Sequence, residues 1–499
     1  MQNTTLHIHP SFAISPVDER VFGGFLEHLG RAVYQGVYEP DSPHADEQGC
    51  RTDVLEALRR LKFTAMRYPG GNFVSGYDWV DGVGPRDERP TKVDLAWQSL
   101  EPNQFGTNEF MDLCRKMDWT PMMAVNLGTG TPAEARNWLE YCNGKAGSYW
   151  ADKRVEHGYA DPHDIRLWCL GNEMDGPWQI GHVPAQEYAI RAQQTARLMK
   201  MFDPSVELVA CGSCATTLPS YLEWDRTVLE YLHKDVEYIS LHSYVGNEKD
   251  DTEDYLCVGN AIDKQIEELD SVCSYVAARK RAKRKVKLSF DEWNVWYRAR
   301  TGDHVDGHNK LAPHLLEEVY NLEDALVVAQ FLNSFIRHAD SVKIANLAQI
   351  VNVIAPILTL GDKMILQSIF YPIEMMAKRR EGIALQTRIE GPKVHSKTHG
   401  DAAGVDASAI LNGKNLSVFL VNRSLDKEVD VLVDVAGGKV VKRIDGEIVT
   451  GSDPKAANGF EDQSLVVSNC YDEICFTEGR AVINLPPLSF FAGTLELSL

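Results

Sequence analysis

Two glutamates in this chain follow short apolar runs directly, at positions where a buried strand would end. Glu173 comes after IRLWCLGN (165–172), and Glu292 lies in VKLSFDEW (286–293). A carboxylate at the edge of a buried segment is unfavourable unless it is paired or used. Two facing carboxylates are what glycoside hydrolysis requires, because one protonates the departing oxygen and the other attacks the anomeric carbon. These segments predict a hydrolytic site if the fold brings them together.

The elements that would have to position these glutamates alternate along the chain. Short apolar or β-branched runs predict eight strands, over 21–27, 63–69, 121–127, 165–172, 206–212, 236–244, 286–293 and 341–349. Helical spacing of apolar residues predicts helices over 52–62, 129–142, 184–202, 261–283 and 321–339, with Thr131 as an N-cap and Pro132 as the first helical residue of the second. Eight alternations predict a (β/α)₈ TIM barrel. Its fourth and seventh strands would hold Glu173 and Glu292 across the mouth.

Other strand ends also carry polar side chains that would converge on that mouth. They are Glu27 and His28, Arg67 and Asn72, His242 and Tyr244, and Gln349. An arginine beside a carboxylate favours its ionised form, which a nucleophile needs, so Arg67 is a candidate support for the nucleophile. Aromatic residues that suit the face of a sugar ring lie close to the two glutamates, namely Trp178, Trp293, Trp296 and Tyr297.

The pattern of the chain changes near residue 385. After a helix-like run at 373–382, apolar and polar residues alternate with period two over 415–424, 428–437 and 481–499. This pattern predicts a C-terminal antiparallel β-sandwich of the jelly-roll type. The strand-like segment 4–13 precedes the barrel and is expected to join that sandwich. The predicted division is therefore 1–18, 19–384 for the barrel, and 385–499 for the sandwich.

The charge of the whole chain argues against polyanionic partners. It has 71 acidic and 51 basic residues and a formal net charge of −20, so nucleic acid and anionic membranes are not expected to bind. The basic run at 277–287 is interpreted as the solvated end of a helix. No run reaches the length of a membrane span, and the opening residues MQNTTLHIHPSF lack the features of a secretory signal. With ten scattered cysteines, a cytoplasmic location with reduced thiols is expected.

Three motifs suggest other chemistry, but each has a simpler structural interpretation. His7 and His9 have the spacing of a metal-ligand pair, yet they lie outside the barrel strands and share one face of a strand. Cys211 and Cys214 have redox or zinc spacing without a second pair. The glycines of NLGTGTP (126–132) lack the lysine of a phosphate-binding loop and fit a strand-to-helix turn.

Over nearly its whole length the chain resembles glycoside hydrolase family 51, the α-L-arabinofuranosidases. The stretches that carry this resemblance are FGGFLEHLGRAVYQGVYEP (22–40), RYPGGNFVSGYDWVDGVGP (67–85), WCLGNEMDGPWQIG (168–181), FDEWNVWY (290–297) and LPPLSFFAGTL (485–495). The resemblance implies a retaining, exo-acting enzyme with Glu173 as general acid/base and Glu292 as nucleophile. It implies substrate-binding roles for Glu27, Asn72, Asn172, Tyr244 and Gln349, and aromatic walls at Trp97 and Trp296.

The resemblance also implies that the enzyme needs no cofactor or metal and forms a homo-oligomer, commonly a hexamer. Its expected substrates are arabinan, arabinoxylan or oligosaccharides derived from them, with a terminal arabinofuranosyl unit. Substrate preference is expected to reside in loops such as 298–313. A β-xylosidase or endoglycanase on the same barrel, and a carbohydrate-binding protein without activity, remain open alternatives. The sequence does not distinguish among α-1,2, α-1,3 and α-1,5 linkages.

Overall fold

A closed barrel of eight parallel strands forms the centre of the protein. The computed structural model describes residues 2–301 and 306–498. In chain order the barrel strands are Gly23–Phe25, Ala65–Tyr68, Thr120–Ala124, Leu167–Leu170, Glu207–Ala210, Tyr238–Val245, Lys287–Val295 and Val342–Ala348. Each strand pairs with its neighbours in the sequence, and the eighth pairs with the first. The predicted barrel is confirmed, and all eight predicted strands are present.

Helices separate the barrel strands and cover the outside of the barrel. The α-helices of the described residues are Thr52–Leu61, Thr107–Met117, Pro132–Asn143, Tyr149–Glu156, Ala185–Phe202, Glu223–Leu232, Thr252–Tyr255, Gly259–Arg279, Arg298–Thr301, Leu322–Arg337 and Phe370–Ala377. Short 3₁₀ turns occupy Glu19–Val21, Asn72–Gly76, Trp79–Gly82 and Arg86–Glu88. As predicted, Thr131 caps the third helix and Pro132 opens it. The helices over 107–117, 149–156 and 223–232 were not predicted.

Two helices account for a long apolar segment and for the basic run of the sequence. The helix Leu322–Arg337 is buried along nearly its whole length, because it lies between the barrel and the C-terminal sheet. The basic run at 277–287 spans the end of one helix at Arg279 and the start of the seventh barrel strand at Lys287, as interpreted. None of the helices among the described residues combines the length and apolarity needed to cross a bilayer.

A separate ten-stranded sheet follows the barrel and also includes the first strand of the chain. Its strands, in chain order, are Gln2–Pro16, Ile383–Glu390, Val405–Asn412, Asn415–Asn422, Val429–Val435, Lys439–Thr450, Asn469–Cys470, Ile474–Thr477, Arg480–Leu485 and Ser489–Ser498. Their pairings are antiparallel except that of Gln2–Pro16 with Val429–Val435. The strands 439–450 and 480–485 each lie second from an opposite edge of the sheet, yet they contact each other. The sheet therefore folds over its own apolar core.

The predicted C-terminal antiparallel sheet domain is confirmed, and one predicted run within it is divided. The run 481–499 forms two strands, because Pro486 and Pro487 cannot donate ladder hydrogen bonds. The strand Gln2–Pro16 lies in this sheet and pairs with Ile383–Glu390. The division into 1–18, 19–384 and 385–499 stays a prediction. In the described residues, three small antiparallel sheets of two strands each lie outside the two main sheets. They pair Lys92–Val93 with Leu100–Glu101, Ile357–Leu360 with Lys363–Leu366, and Lys393–Ser396 with Gly400–Ala403.

The histidine and cysteine motifs that suggested metal or redox chemistry have the surroundings expected of structural residues. His7 lies between the carboxylates of Glu390 and Asp434, at 3.2 and 3.3 Å, on the surface of the ten-stranded sheet. The ten cysteines are all free thiols, and Cys211 and Cys214 are buried.

Candidate active site

A cavity of about 580 Å³ opens at the C-terminal ends of the barrel strands. Eight of the predicted site residues line it: Glu27, Asn72, Trp97, Glu173, Tyr244, Glu292, Trp296 and Gln349. Arg67 and Asn172 lie behind its wall and are almost completely buried. The fold therefore brings these residues to one mouth, although they are spread over more than 300 positions of the chain.

Glu173 lies in a turn beyond the fourth barrel strand rather than at its end. The strand stops at Leu170, and the backbone turns through Gly171 at φ 94° and Glu173 at φ 44°. A side-chain-bearing residue in the left-handed region is strained, and such strain is held in place by its surroundings. Here Trp178 supplies part of that restraint, because its Nε1–H donates to Glu173 Oε2 at 2.6 Å.

Glu292 lies inside the seventh barrel strand, not at its end as predicted. The strand continues to Val295, and its register with both neighbouring strands shifts between Ser289 and Trp293. Such an irregularity re-aims side chains that would otherwise alternate between faces. As a result, Asp291 and Glu292 both contact His242 on the inner side of the barrel.

His242 links the two glutamates. Its Nδ1 lies 2.8 Å from Glu173 Oε1 and 3.5 Å from Glu292 Oε2, while its Nε2 lies 3.0 Å from Asp291 Oδ1. Burial alone would lower the pKa of His242, but the Glu292 and Asp291 carboxylates outweigh burial and raise this pKa well above its usual value. The ring is therefore a cation that donates from both nitrogens. Oxygens of Glu173 and Glu292 lie within 4.8 Å of each other.

The same three side chains are close enough to hold a metal ion, but their chemistry does not favour one. Glu173, His242 and Glu292 each offer a ligand atom within 4.8 Å of the others. Metal binding requires a neutral imidazole with a free nitrogen lone pair. The raised pKa of His242 favours the protonated ring, which has none. Both ring nitrogens of His242 also face carboxylates, Nδ1 at 2.8 Å from Glu173 and Nε2 at 3.0 Å from Asp291, so a metal ion could bind the ring only by replacing one of these contacts.

A second buried cation, Arg67, orients the nucleophile candidate. Arg67 Nη1 donates to Glu292 Oε1 at 2.6 Å, and Nη2 donates to Asn172 Oδ1 at 2.7 Å. The Tyr244 hydroxyl donates to Glu292 Oε2 at 2.8 Å. Burial, followed by the charge of Glu292, raises the pKa of Tyr244 well above its usual value, so this hydroxyl keeps its proton. Each oxygen of Glu292 thus accepts a short hydrogen bond, and the two bonds fix the orientation of its carboxylate.

Glu27 is held at the base of the cavity by three donors. Its carboxylate accepts from the Phe73 backbone N–H at 3.0 Å, Trp97 Nε1 at 3.1 Å and Gln349 Nε2 at 3.1 Å. Burial first, and then the charge of Glu292, raise the pKa of Glu27 to about 8 despite those donors. A Cβ at Gly71 would lie 2.6 Å from Glu27 Oε2, so a glycine is required for this close approach.

Aromatic rings flank the cavity on the side that leads to a second, larger one. Trp97 and Trp296 line both cavities, and the second has a volume of about 850 Å³. Trp178 is half exposed at the rim, and the Arg300 guanidinium lies 4.1 Å from the centre of the Trp296 ring. Part of the loop 298–313 borders the second cavity, and its residues 302–305 lie outside the described residues.

Three residues of the hydrogen-bonded cluster around Glu173 and Glu292 were not among the predicted site residues. His242 was noted only as a polar strand end, Asp291 only as a neighbour of Glu292, and Trp178 only as a nearby ring. A signal for His242 is present in the sequence: His242 and Tyr244 are two positions apart, so a strand places both on one face. No sequence signal shows that Asp291 turns inward, because the strand irregularity depends on both neighbouring strands.

Asn172 lies behind the cavity wall, whereas the family resemblance implies that it binds the substrate. Its Oδ1 accepts from Arg67, and its Nδ2 points toward Gln179 Oε1 at 3.4 Å and Asn72 Oδ1 at 3.5 Å. These partners use much of its hydrogen-bonding capacity and leave it 1 % exposed. A direct role for Asn172 in holding a substrate hydroxyl stays a prediction.

Comparison with known proteins identifies the family. Residues 57–256 match the α-L-arabinofuranosidase 1 domain, and residues 291–489 match the α-L-arabinofuranosidase C-terminal domain. The chain is 44% identical over 486 residues to an intracellular exo-α-(1→5)-L-arabinofuranosidase of Acetivibrio thermocellus, with 96% of each chain covered. It is 40% identical over 506 residues to an exo-α-(1→6)-L-arabinofuranosidase of Bifidobacterium longum, with 99% of this chain and 97% of the relative covered.

A solved structure agrees with this assignment across both parts of the fold. AbfB, a family 51 α-L-arabinofuranosidase from Bifidobacterium longum, superposes with a TM-score of 0.95 at 35% identity. The superposition covers 99% of this chain and all of AbfB. With sequence and fold alike over nearly the whole length, this chain belongs to glycoside hydrolase family 51, the α-L-arabinofuranosidases.

Proposed function

We propose that this enzyme is a retaining, exo-acting α-L-arabinofuranosidase that uses Glu173 as general acid/base and Glu292 as nucleophile. The observation that carries the proposal is the short separation of their oxygens, which is at most 4.8 Å. Retaining glycosidases place the two carboxyl groups about 5–5.5 Å apart, whereas inverting ones need about 6.5–9.5 Å to admit a water molecule. The separation supports direct attack by Glu292.

In the first step, Glu173 gives its proton to the glycosidic oxygen while Glu292 attacks the anomeric carbon. The glycosidic bond breaks, and a covalent arabinosyl–Glu292 ester forms through an oxocarbenium-like state. Arg67 and Tyr244 hold the attacking carboxylate, one on each oxygen. In the second step, Glu173 takes a proton from water, which attacks from the side that the leaving group vacated. The anomeric configuration is thereby retained.

His242 acts in this scheme as a positioning residue for both glutamates. Its cation hydrogen-bonds Glu173 and lies 3.5 Å from Glu292. When Glu292 is ionised, its charge favours the protonated form of Glu173, and the charge disappears once the ester has formed. Glu173 can thus serve as acid first and as base second.

The remaining cavity residues would bind the arabinofuranosyl ring and the leaving group. Glu27, Asn72, Gln349 and Tyr244 offer hydrogen-bonding groups to the ring hydroxyls, and Asn172 would assist from behind the wall. Trp97 and Trp296 flank the passage to the second cavity, so they would pack against the leaving-group sugars. A sugar face packs well on an aromatic ring because both surfaces are apolar.

The names of the relatives support the finer assignment. One is an intracellular exo-α-(1→5)-L-arabinofuranosidase and another an exo-α-(1→6)-L-arabinofuranosidase. We therefore propose an exo action on non-reducing terminal arabinofuranosyl units of arabinan, arabinoxylan or derived oligosaccharides, in the cytoplasm. A homo-oligomer, commonly a hexamer in this family, is expected, and light scattering on the purified chain would measure its mass.

The proposal predicts the stereochemistry and specificity of the reaction. Proton NMR of the first turnovers on 4-nitrophenyl α-L-arabinofuranoside should show α-L-arabinofuranose before mutarotation. The corresponding β-D-xyloside should react at least about 100-fold more slowly in kcat/KM, the discrimination expected of a site built to hydrogen-bond particular hydroxyls. Initial release of the β-anomer would contradict the retaining mechanism, and a faster xyloside would favour the β-xylosidase alternative.

A second prediction concerns the dependence of activity on pH. His242→Asn removes a positive charge that lies 2.8 Å from Glu173 Oε1 and 3.5 Å from Glu292 Oε2, and a nearby positive charge favours the charged form of a carboxyl group. The kcat/KM profile of this variant should therefore move to higher pH by about one unit.

The control for this variant is His338→Asn, because His338 pairs with Asp263 away from the cavity. Its pH profile should match that of the unchanged enzyme. If the profile of His242→Asn falls in height without moving along the pH axis, the electrostatic role of His242 is wrong.

A further inference from the structure

The C-terminal sheet domain contacts the barrel domain through the segment 451–468, which joins the strands Lys439–Thr450 and Asn469–Cys470. This segment covers the beginning of the helix Leu322–Arg337. The Ala456 carbonyl accepts from the Leu322 N–H at 2.9 Å, and the Pro454 carbonyl accepts from the Glu323 N–H at 3.0 Å. The first N–H groups of a helix have no partner inside it, so these carbonyls satisfy them.

Three buried carboxylates surround this contact. Glu318, Glu323 and Asp324 have side chains with no exposed surface. Lys455 Nζ, from the covering segment, donates to Glu323 Oε1 at 2.7 Å. Thr252 Oγ1 donates to the other oxygen of Glu323 at 2.7 Å. Buried carboxylates require paired charges or donors, so the lysine of the sheet domain stabilises a group inside the barrel domain.

The same carboxylates hold the segment that follows Trp296. Arg298 Nη1 donates to Asp324 Oδ2 at 2.9 Å, and Arg298 Nη2 lies 3.9 Å from Glu323 Oε1. Glu318 accepts from the backbone N–H groups of Arg298 at 3.0 Å and Ala299 at 2.8 Å. The segment is thus fixed by side-chain and backbone bonds to Asp324 and Glu318, and Asp324 is the chain neighbour of Glu323, which accepts from Lys455.

Trp296 precedes this anchored segment directly and lines both cavities. The Tyr297 hydroxyl donates to Glu323 Oε1 at 3.5 Å, the same oxygen that receives Lys455. A change at Lys455 therefore acts on an atom shared with the residue next to Trp296. Without the ammonium, Glu323 would draw the Arg298 guanidinium toward itself and away from Asp324, since opposite charges attract strongly at low dielectric.

We propose that Lys455 is a positioning residue for the leaving-group side of the active site, acting through Glu323 on the segment that carries Trp296. The C-terminal domain is then a functional part of the site as well as a neighbour of the barrel. Because Trp296 flanks the passage to the larger cavity, its displacement should weaken the binding of sugars beyond the bond that is cleaved. The kinetic part of this inference rests on the proposed arabinofuranosidase activity.

The position of Trp296 provides a test that does not depend on activity. In the full-length protein labelled with 5-fluorotryptophan, the fluorine resonance that disappears in Trp296→Phe identifies this ring. Lys455→Met should shift or broaden that resonance, and Lys455→Arg, which keeps the charge, should leave it near its original position. The matched control is Lys442→Met, because Lys442 lies in the same domain and pairs with Glu496 at the surface.

The kinetic test compares a long and a short leaving group. Lys455→Met should raise KM for α-1,5-arabinotriose about 10-fold with kcat within about twofold, which is the pattern of lost uniform binding. KM for 4-nitrophenyl α-L-arabinofuranoside should change less than about twofold, because that leaving group does not extend into the second cavity. Adding Glu323→Gln to Lys455→Met should recover part of the loss, since it removes the unpaired carboxylate.

The fluorine and kinetic measurements distinguish a failure of the positioning role of Lys455 from a failure of the proposed arabinofuranosidase activity. An unchanged Trp296 resonance in Lys455→Met, or equal loss of kcat on both substrates, would overturn the positioning role. If the unchanged enzyme hydrolyses neither arabinoside, the proposed function fails, while the fluorine measurement still decides the role of Lys455. If Lys455→Met does not fold, Lys455→Gln, which also removes the charge beside Glu323, takes its place. A displaced Trp296 resonance in Lys455→Gln would support the coupling, and a variant indistinguishable in resonance and KM from Lys442→Met would overturn it.

Discussion

Glu292→Ala is expected to lower kcat by about 10⁴-fold or more on every arabinofuranoside, the scale of loss when a covalent nucleophile is removed. The variant can no longer form the ester, whatever the leaving group. The space left by the carboxylate, between Arg67 and Tyr244, is a cationic and hydrogen-bonding pocket that suits a small anion. Azide should enter it, restore part of the turnover with an activated aryl arabinofuranoside, and yield the β-L-arabinofuranosyl azide, because it attacks from the side of the missing nucleophile.

The fold of this variant has to be checked separately, because Arg67 loses one of its partners. Removing one member of a buried ion pair destabilises a protein by about 3–5 kcal/mol, so its melting temperature should fall while the near-ultraviolet circular dichroism at 25 °C stays unchanged. Glu390→Ala serves as the matched control, since Glu390 is exposed and pairs with His7 on the surface of the ten-stranded sheet. Formation of α-azide by Glu292→Ala would assign the nucleophile to a different residue.

Glu173→Ala is expected to separate substrates by their leaving groups. General acid catalysis contributes about 10²–10⁴-fold, so kcat/KM for arabino-oligosaccharides should fall by that factor. For 2,4-dinitrophenyl α-L-arabinofuranoside, whose leaving group departs without a proton, kcat/KM should fall less than about tenfold. The covalent ester should then accumulate, because no base activates water, and both kcat and KM for this substrate should decrease.

Azide also distinguishes the role of Glu173 from that of Glu292. In Glu173→Ala it attacks the accumulated ester from the side of the departed leaving group and should give α-L-arabinofuranosyl azide, the opposite anomer to that from Glu292→Ala. Mass spectrometry of the intact variant, quenched during turnover, should detect the added arabinosyl group. Equal losses on oligosaccharides and on the dinitrophenyl substrate would contradict the role of Glu173 as the acid.

The sequence contained enough local information to predict the scaffold. Apolar runs such as 165–172 and 286–293 are short enough to favour buried strands, and their alternation with helical periods favours a barrel. The capping residues Thr131 and Pro132 fixed the start of a helix to the residue. In contrast, the helix Thr107–Met117 was not predicted, although its apolar residues recur at helical spacing. Its N-cap residue is Gly106, so no capping side chain marks its start.

The two glutamates of the site were also recognisable from the local sequence. A carboxylate that follows a buried strand is unusual in any fold, so Glu173 and Glu292 stood out without knowledge of their partners. Their exact placement did not follow, since one lies in a strained turn and the other inside an irregular strand. The irregularity turns Asp291 inward and gives His242 a carboxylate on each side.

By itself, the sequence determined the alternating elements, the two glutamates at opposite strands and the period-two pattern of the C-terminal domain, because these depend on residues close together in the chain. Tertiary structure alone decided which distant groups touch. His242 between two glutamates, Arg67 across the barrel from Glu292, and Lys455 beside Glu323 all join residues tens to hundreds of positions apart. Such contacts arise only when the barrel closes and the two domains pack, and no local pattern encodes that geometry.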